Sequence, residues 1–287
     1  MRFDLSRVGQ WTGESVFVVT PEAITKYAAA TNDTNPRHAA GEIAPPVFAV
    51  VPSLMGVMTG SLWSVAVSDR EGYDTRNVHG EQDLMLDRVI EPGMVLRSRA
   101  ATVGVHPKSS GTIVVTRTET RDGTGELVNH QYYVNFIRGV VVEQGQGELP
   151  PSKETPSSLD RSNPLAQRTY RVDRDQTVRY AEASGDYGTY HLDEQIARDA
   201  GHPGLILHGL CTMAFASRAV VETACQGDSS RLKRLAVRFT KPVLLDQDLT
   251  TTLWAVGTRE GRDVFTFETA DESGEVVLSL GLAEVCE

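Results

Sequence analysis

Apolar and polar positions follow the same order twice along this chain. In the first half, Thr20 is placed to cap a helix beginning at Pro21, where the missing proline N–H is no loss, and an alanine-rich helical pattern runs to the turn at Thr31, Asn32 and Asp33. An uncharged run over residues 43–68 then predicts a long buried helix. Strand patterns follow at 82–89, 95–105, 112–120 and 126–136, with Asp122-Gly123 as the turn joining the last two into a hairpin.

The second half repeats the succession. Asp173 and Gln176 stand at capping-box spacing and open a helix through Val178, Tyr180 and Ala181 toward a Ser184-Gly185-Asp186 turn. A short helix over 193–201 is closed by Gly201. Residues 210–225 are apolar nearly all round, apart from Arg218 and Glu222, which sit four apart and can pair on the one wet edge. Such a helix must be wrapped. Strand patterns at 234–240, 249–256, 264–269 and 275–285 supply the wrapping, Leu235, Val237 and Phe239 alternating with Ala236, Arg238 and Thr240 as on a half-buried sheet. The division that follows is a first repeat over 1–140, an exposed linker rich in Pro, Ser, Gly and charge over 141–166, and a second repeat over 167–287.

Composition narrows the classes. The 43–68 run is long enough for a bilayer span of about 20 residues. Pro52, Gly56, Gly60 and several hydroxyl residues dilute it, however, and no basic cluster flanks it, so a helix buried in a soluble domain is the expectation. A net charge of −10 and pI near 5.2 argue against nucleic acid as a partner. Cys211, Cys225 and Cys286 are odd in number and lack CxxC spacing, which points to neither a disulfide framework nor a zinc site and fits a reducing, cytoplasmic compartment. The N-terminal residues carry no signal-peptide pattern.

The chemistry concentrates in two matching segments. TNDTNPRH carries Asp33 and His38, and SGDYGTYH carries Asp186 and His191, the same two titratable types five residues apart. A carboxylate and an imidazole on one irregular segment can hold a single water between them and share proton transfer. His202 and His208, with His191 and Asp193, show no metal-ligand spacing, so no metal is expected. Cys211, on the buried helix, reads as a small core residue, and Met55, Met58 and Met213 suit a core or the lining of an apolar tunnel equally.

The stretch YAEASGDYGTYHLDEQIARDAGHPGLILHGL resembles the signature of the MaoC-like (R)-specific enoyl-CoA hydratases, or hydratase 2. The resemblance covers the second half well and the first half in part. It implies an α+β double hot-dog fold, two repeats each with an antiparallel sheet wrapped around a long helix. It further implies a hydro-lyase that reversibly hydrates a trans-2-enoyl thioester of coenzyme A or acyl carrier protein to the (3R)-hydroxyacyl thioester, with no other cofactor. In that scheme Asp186 and His191 activate water, the Gly209 N–H receives the thioester oxygen, and Ser217 assists near the water. His208, Tyr187 and Gly188 would contact substrate. The second repeat has Gly188-Thr189 where the family has Asn-Pro; the first keeps Asn35-Pro36 but has Phe48-Ala49 where His-Gly is expected. The first repeat is therefore expected to act as an acyl-binding wall, with Asp33, Asn35 and His38 as a second or vestigial site. Two alternatives stand beside this: a hot-dog acyl-CoA thioesterase, and a non-catalytic acyl-thioester-binding partner of a separate hydratase subunit. A homodimer is the favoured assembly.

Overall fold

A computed structural model describes residues 2–58, 67–69, 76–156 and 159–287. The first half contributes strands β1 (Arg2–Phe3), β2 (Ser15–Val18), β3 (Val67–Asp69), β4 (Asn77–Leu86), β5 (Val95–Lys108), β6 (Gly111–Arg121), β7 (Leu127–Arg138) and β8 (Gln146–Gly147). The second contributes β9 (Ala166–Val172), β10 (Leu232–Phe239), β11 (Gln247–Arg259), β12 (Arg262–Ala270) and β13 (Val276–Val285). β1 pairs with β3, and the rest form one antiparallel sheet in the order β2-β5-β6-β7-β4-β10-β13-β12-β11-β9, with β8 on β5. Each half has the same internal order, so the duplication seen in the sequence is a duplication of topology.

The halves join where β4 pairs with β10, Ala236 opposite Asp83 and Arg238 opposite Glu81. A buried ion pair pins the seam: the Arg234 guanidinium donates to Asp83 at 2.7 Å and to Glu284 at 3.2 Å. Four strands per half were expected; along the main sheet each half has one more among the described residues, β2 and β9, and the first half adds the short β1, β3 and β8. β2 and β9 are edge strands with exposed alternate positions, so their sequences lack a strong apolar alternation. The hairpin between β6 and β7 forms as expected, but Asp122-Gly123 is the start of a longer loop. The Asp122 carboxylate accepts from the N–H groups of Thr124 and Glu126, and Asp271 does the same for Ser273 and Glu275 between β12 and β13. Gly125 and Gly274 supply the left-handed residue at φ +89° and +86°.

The helices are α1 (Pro21–Ala30), α2 (Pro36–Ala39), α3 (Val50–Met58), α4 (Gln176–Ser184), α5 (Glu194–Asp199) and α6 (Gly209–Thr223). Thr20 caps α1 through the Ala23 N–H at 3.1 Å. For α4 the capping box is half made: Gln176 accepts from the Asp173 N–H at 3.0 Å, while the Asp173 carboxylate is taken by Arg179 at 2.5 Å. The long helix expected over 43–68 is described only as α3, and residues 59–66 lie outside the described part. Among the described residues no helix is long and apolar enough to cross a membrane.

α3 and α6 are the two central helices, buried between the sheet and the α1–α4 pair. Tyr27 of α1 packs edge-on against Phe48 at 5.4 Å and on Tyr180 of α4 at 5.8 Å, so one core runs through both repeats. Arg218 pairs with Glu222 at 2.8 Å as the spacing predicts, and lies over the Tyr170 ring. The linker, expected to be exposed, is largely so and is also fastened: β8 joins the sheet, Lys153 meets Glu81 at 2.5 Å, and Arg234 donates to the Ser152 carbonyl.

Candidate active site

Three elements of the second repeat converge on one point. α4 ends at Ser184, where Gly185 turns the chain at φ +79° and delivers Asp186. A single 3-10 turn, Thr189–His191, brings His191 back against it, and the loop before α6 adds His208. Ligand-capable atoms of Asp186, His191 and His208 all lie within 4.8 Å of one another. Each group is anchored by backbone. The Gly188 N–H donates to Asp186 Oδ1 at 3.1 Å, His191 Nδ1–H donates to the Ile206 carbonyl at 2.8 Å, and His208 Nε2–H donates to the Asp186 carbonyl at 3.0 Å.

Those bonds fix the tautomers. A carbonyl accepts only, so the His191 proton sits on Nδ1 and Nε2 keeps its lone pair. Burial pushes the His191 pKa well below its ordinary value, and the neighbouring His208 ring pushes it further. Burial likewise pushes His208 down to about 4. Both imidazoles are therefore neutral near pH 7, and His191 presents a free base nitrogen. No direct hydrogen bond joins it to Asp186. A water making two ~2.8 Å hydrogen bonds at a tetrahedral angle spans roughly 4.6 Å, inside the 4.8 Å that bounds the ligand-capable atoms of this cluster. A metal ion fits less well: the two rings are stacked at 3.8 Å and 24°, so their lone pairs run in near-parallel planes rather than toward a common centre.

Gly209 opens α6 directly after His208, and the first N–H groups of a helix have no intrahelical acceptor. A Cβ at Gly209 would lie 3.2 Å from the Phe239 ring, so glycine is what allows β10 to close over the helix start. The sequence expectations divide here. Asp186, His191, His208, Gly188 and Gly209 come together. His208, expected to contact substrate, bonds the Asp186 carbonyl and stacks on the His191 ring. Tyr187 is exposed. Ser217, eight residues or about 12 Å along α6 from Gly209, lines a small cleft with Asp33 and Val47.

The opposite wall comes from the first repeat, and two of its residues, His79 and Tyr133, were not singled out in the sequence. Met55 of α3 packs on Gly185, where a Cβ would meet its sulfur at 2.0 Å. His79 of β4 lies 4.8 Å from the Phe239 ring and stacks on Tyr133, whose hydroxyl bonds Ser53 at 3.0 Å. Burial lowers His79 to about 4, while the negative charge of Asp186 acts on it in the other direction. No local motif marks these residues; the β4–β10 pairing brings them in.

The first repeat's copy of the pair is arranged differently. His38 Nδ1 bonds Asp33 directly at 2.7 Å, and Nε2 meets Ser229 at 2.8 Å. Direct contact leaves no room for a water between carboxylate and imidazole.

Residues 158–277 match the MaoC like domain, and residues 40–139 match the MFE-2 hydratase 2 N-terminal domain. The 3-hydroxyacyl-thioester dehydratase Y of Mycobacterium tuberculosis is 34% identical over 72% of this chain and 72% of its own length. The chain belongs to the MaoC-like dehydratase family. Other relatives include a probable enoyl-CoA hydratase 2 of Dictyostelium discoideum, 28% identical over 82% of this chain and 80% of that protein. The peroxisomal multifunctional enzyme type 2 of Drosophila melanogaster is 32% identical over 79% of this chain, which spans 38% of that longer protein. Such names give the cytoplasmic expectation no support. Among solved structures, a MaoC-like dehydratase from Phytophthora capsici superposes at TM-score 0.86 with 24% identity, covering 99% of this chain and 98% of the other. A Mycobacterium tuberculosis protein described as a double hotdog fold superposes at 0.64 with 14% identity, covering 96% and 95%. This MaoC-like chain is thus a double hot-dog, as the sequence implied.

Proposed function

We propose that this protein reversibly hydrates trans-2-enoyl thioesters to (3R)-hydroxyacyl thioesters, at a site formed by Asp186, His191 and Gly209. The observation that carries the reading is the contrast between the two Asp/His copies. In the second repeat Asp186 and His191 each bond to backbone rather than to each other, which suits a water between them; in the first the pair has closed on itself.

The chemistry follows from that placement. A water held by the Asp186 carboxylate and His191 Nε2 keeps a lone pair for C3 of the enoyl group. As the C3–O bond forms, the dyad takes a proton from the water and C2 receives one from the same face, which gives syn addition. Negative charge grows meanwhile on the thioester oxygen, where the Gly209 N–H and the positive end of α6 stabilise it. Proton transfer of this kind contributes about 10²–10⁴-fold, and losing one oxyanion donor costs about 10²–10³-fold. The names of the relatives, enoyl-CoA hydratase 2 and 3-hydroxyacyl-thioester dehydratase, support this reading. The carrier, coenzyme A or acyl carrier protein, is part of the proposal, as is the first repeat's role as the acyl-facing wall through Met55, His79 and Tyr133.

Purified protein incubated with crotonyl-CoA tests it. Loss of enoyl absorbance, with (3R)-3-hydroxybutyryl-CoA as the product, is expected. Release of free coenzyme A thiol without hydration would point to the thioesterase reading, and binding without turnover to an accessory subunit.

A further inference from the structure

We infer that His79 is a positioning residue for the hydration reaction: acting from the first repeat, it sets the Phe239 ring against Gly209 and so fixes the N–H that receives the thioester oxygen. The inference rests on the proposed hydration reading and adds a part to it.

Strand β4 is built irregularly to bring His79 there. On a regular strand residues two apart share a face, so His79 would stand beside Glu81, which meets Lys153 of the linker. The pairing with β7 slips between the two: His79 lies opposite Asn135 and Glu81 opposite Val134, which leaves Gly80 as an extra residue. A slip of one residue turns a side chain to the other face, and here it puts His79 on the side of the fully buried Gln82. Glycine suits the slip, since a Cβ at Gly80 would lie 3.3 Å from the Val134 carbonyl oxygen.

Once turned in, the ring is held from two directions. It stacks on Tyr133 at 5.4 Å and 24°, and the Tyr133 hydroxyl bonds Ser53 of α3. His79 Nε2 bonds Gln82 Oε1 at 3.0 Å, Gln82 Nε2 donates to Gln131 Oε1 at 3.1 Å, and Gln131 Nε2 donates to the Ala49 carbonyl at 2.6 Å. An amide oxygen accepts only, so His79 carries its proton on Nε2. Burial lowers its pKa to about 4, which keeps the ring neutral near pH 7. Gln131 is as fully buried as Gln82, so no water competes for these bonds and each group fixes the next.

Phe239 carries that order to the start of α6. Its ring lies 4.8 Å from the His79 ring, tilted by 55°. The three atoms nearest to where a Gly209 Cβ would stand all belong to Phe239, at 3.2, 3.3 and 3.6 Å. On the other flank His208 bonds the Asp186 carbonyl at 3.0 Å. The first turn of α6 is thus clamped between a ring and a loop. An oxyanion donor works by being in place before charge develops, so a donor that shifts slows the chemical step and leaves substrate binding little changed.

Steady-state hydration of crotonyl-CoA and trans-2-octenoyl-CoA by the full-length protein, with the Tm of each variant, tests the inference. His79→Gln keeps the bond to Gln82 and removes the ring, whereas His79→Phe keeps a ring and loses the bond. A donor misplaced by up to about 1 Å lowers the rate by roughly 10- to 100-fold, so His79→Gln should lose that much in kcat on both substrates with KM and Tm nearly unchanged. His79→Phe should recover most of the loss. Because His79 acts through Phe239, adding His79→Gln to Phe239→Leu should bring no further fall in kcat. Losses that multiply in the double variant overturn the inference, as does a fall confined to the longer substrate, which would leave His79 as acyl-facing wall alone. A folded His79→Phe that stays a hundredfold slow overturns it without reliance on the glutamine variant. The native rate separates the two levels of the account: no hydration by the native protein overturns the hydration reading itself, whereas native hydration with an unaffected His79→Gln overturns this inference alone.

Discussion

Gly188→Ala tests the geometry between the two hydration groups with a single methyl. A Cβ at Gly188 would lie 3.1 Å from His191 Cδ2 and 3.3 Å from Asp186 Oδ1, so it wedges against both members of the dyad. Ordinary carbon contacts begin a few tenths of an ångström further out. The His191 ring has little freedom to retreat, since it is stacked on His208 at 3.8 Å and tied to the Ile206 carbonyl at 2.8 Å. The strain therefore appears as a shift of about half an ångström in the Asp186–His191 spacing. A misplacement of about 1 Å costs roughly 10²-fold, so half of that costs about tenfold in kcat. Folding is spared, because Gly188 has φ −51° and ψ 122°, which alanine adopts freely. The assay is steady-state hydration of crotonyl-CoA on wild type and variant beside their thermal unfolding. The expected result is kcat down about tenfold with KM and Tm nearly unchanged. A kcat within twofold of wild type would refute the claim that the spacing of these two groups governs the rate.

Acid should destabilise the protein through its buried histidines. His208 titrates near 4 when folded and near its ordinary 6.5 when unfolded, and His191 shifts in the same direction. Between those values the unfolded chain binds the extra proton, so stability falls as pH drops below about 6.5, by roughly 1.4 kcal/mol per pH unit for each such imidazole. Urea midpoints at pH 7 and 5.5 should differ accordingly, and equal midpoints would count against neutral buried rings. Arg234→Ala should strand the Asp83 carboxylate, 2% exposed, at the β4–β10 seam and cost about 3–5 kcal/mol, whereas replacing both partners with leucine should recover most of it. Chemical denaturation of the single and double variants decides this.

What the sequence displayed and what it hid have physical reasons. The Arg218–Glu222 pair, the Thr20 cap and the apolar run that becomes α6 depend on residues within four positions of one another, and the chain states them outright. The Asp186/His191 pair was legible for the same reason, since one short turn carries both. β2 and β9 were not, because an edge strand facing solvent has little apolar alternation to show. His79, Tyr133 and Phe239 were hidden more deeply: they reach the site by strand pairing between repeats, and nothing in their neighbours announces it. Ser229, nearly two hundred positions from His38, came to notice through the fold alone.

The most direct test of the account compares hydration of crotonyl-CoA by Asp186→Asn and Asp33→Asn, each assayed per folded molecule well below its unfolding temperature. Asp186→Asn should lose about 10²–10⁴-fold in kcat while still binding acyl-CoA, and Asp33→Asn should stay within about twofold of wild type. Equal losses from the two, or full activity in Asp186→Asn, would contradict the claim that hydration belongs to the second repeat.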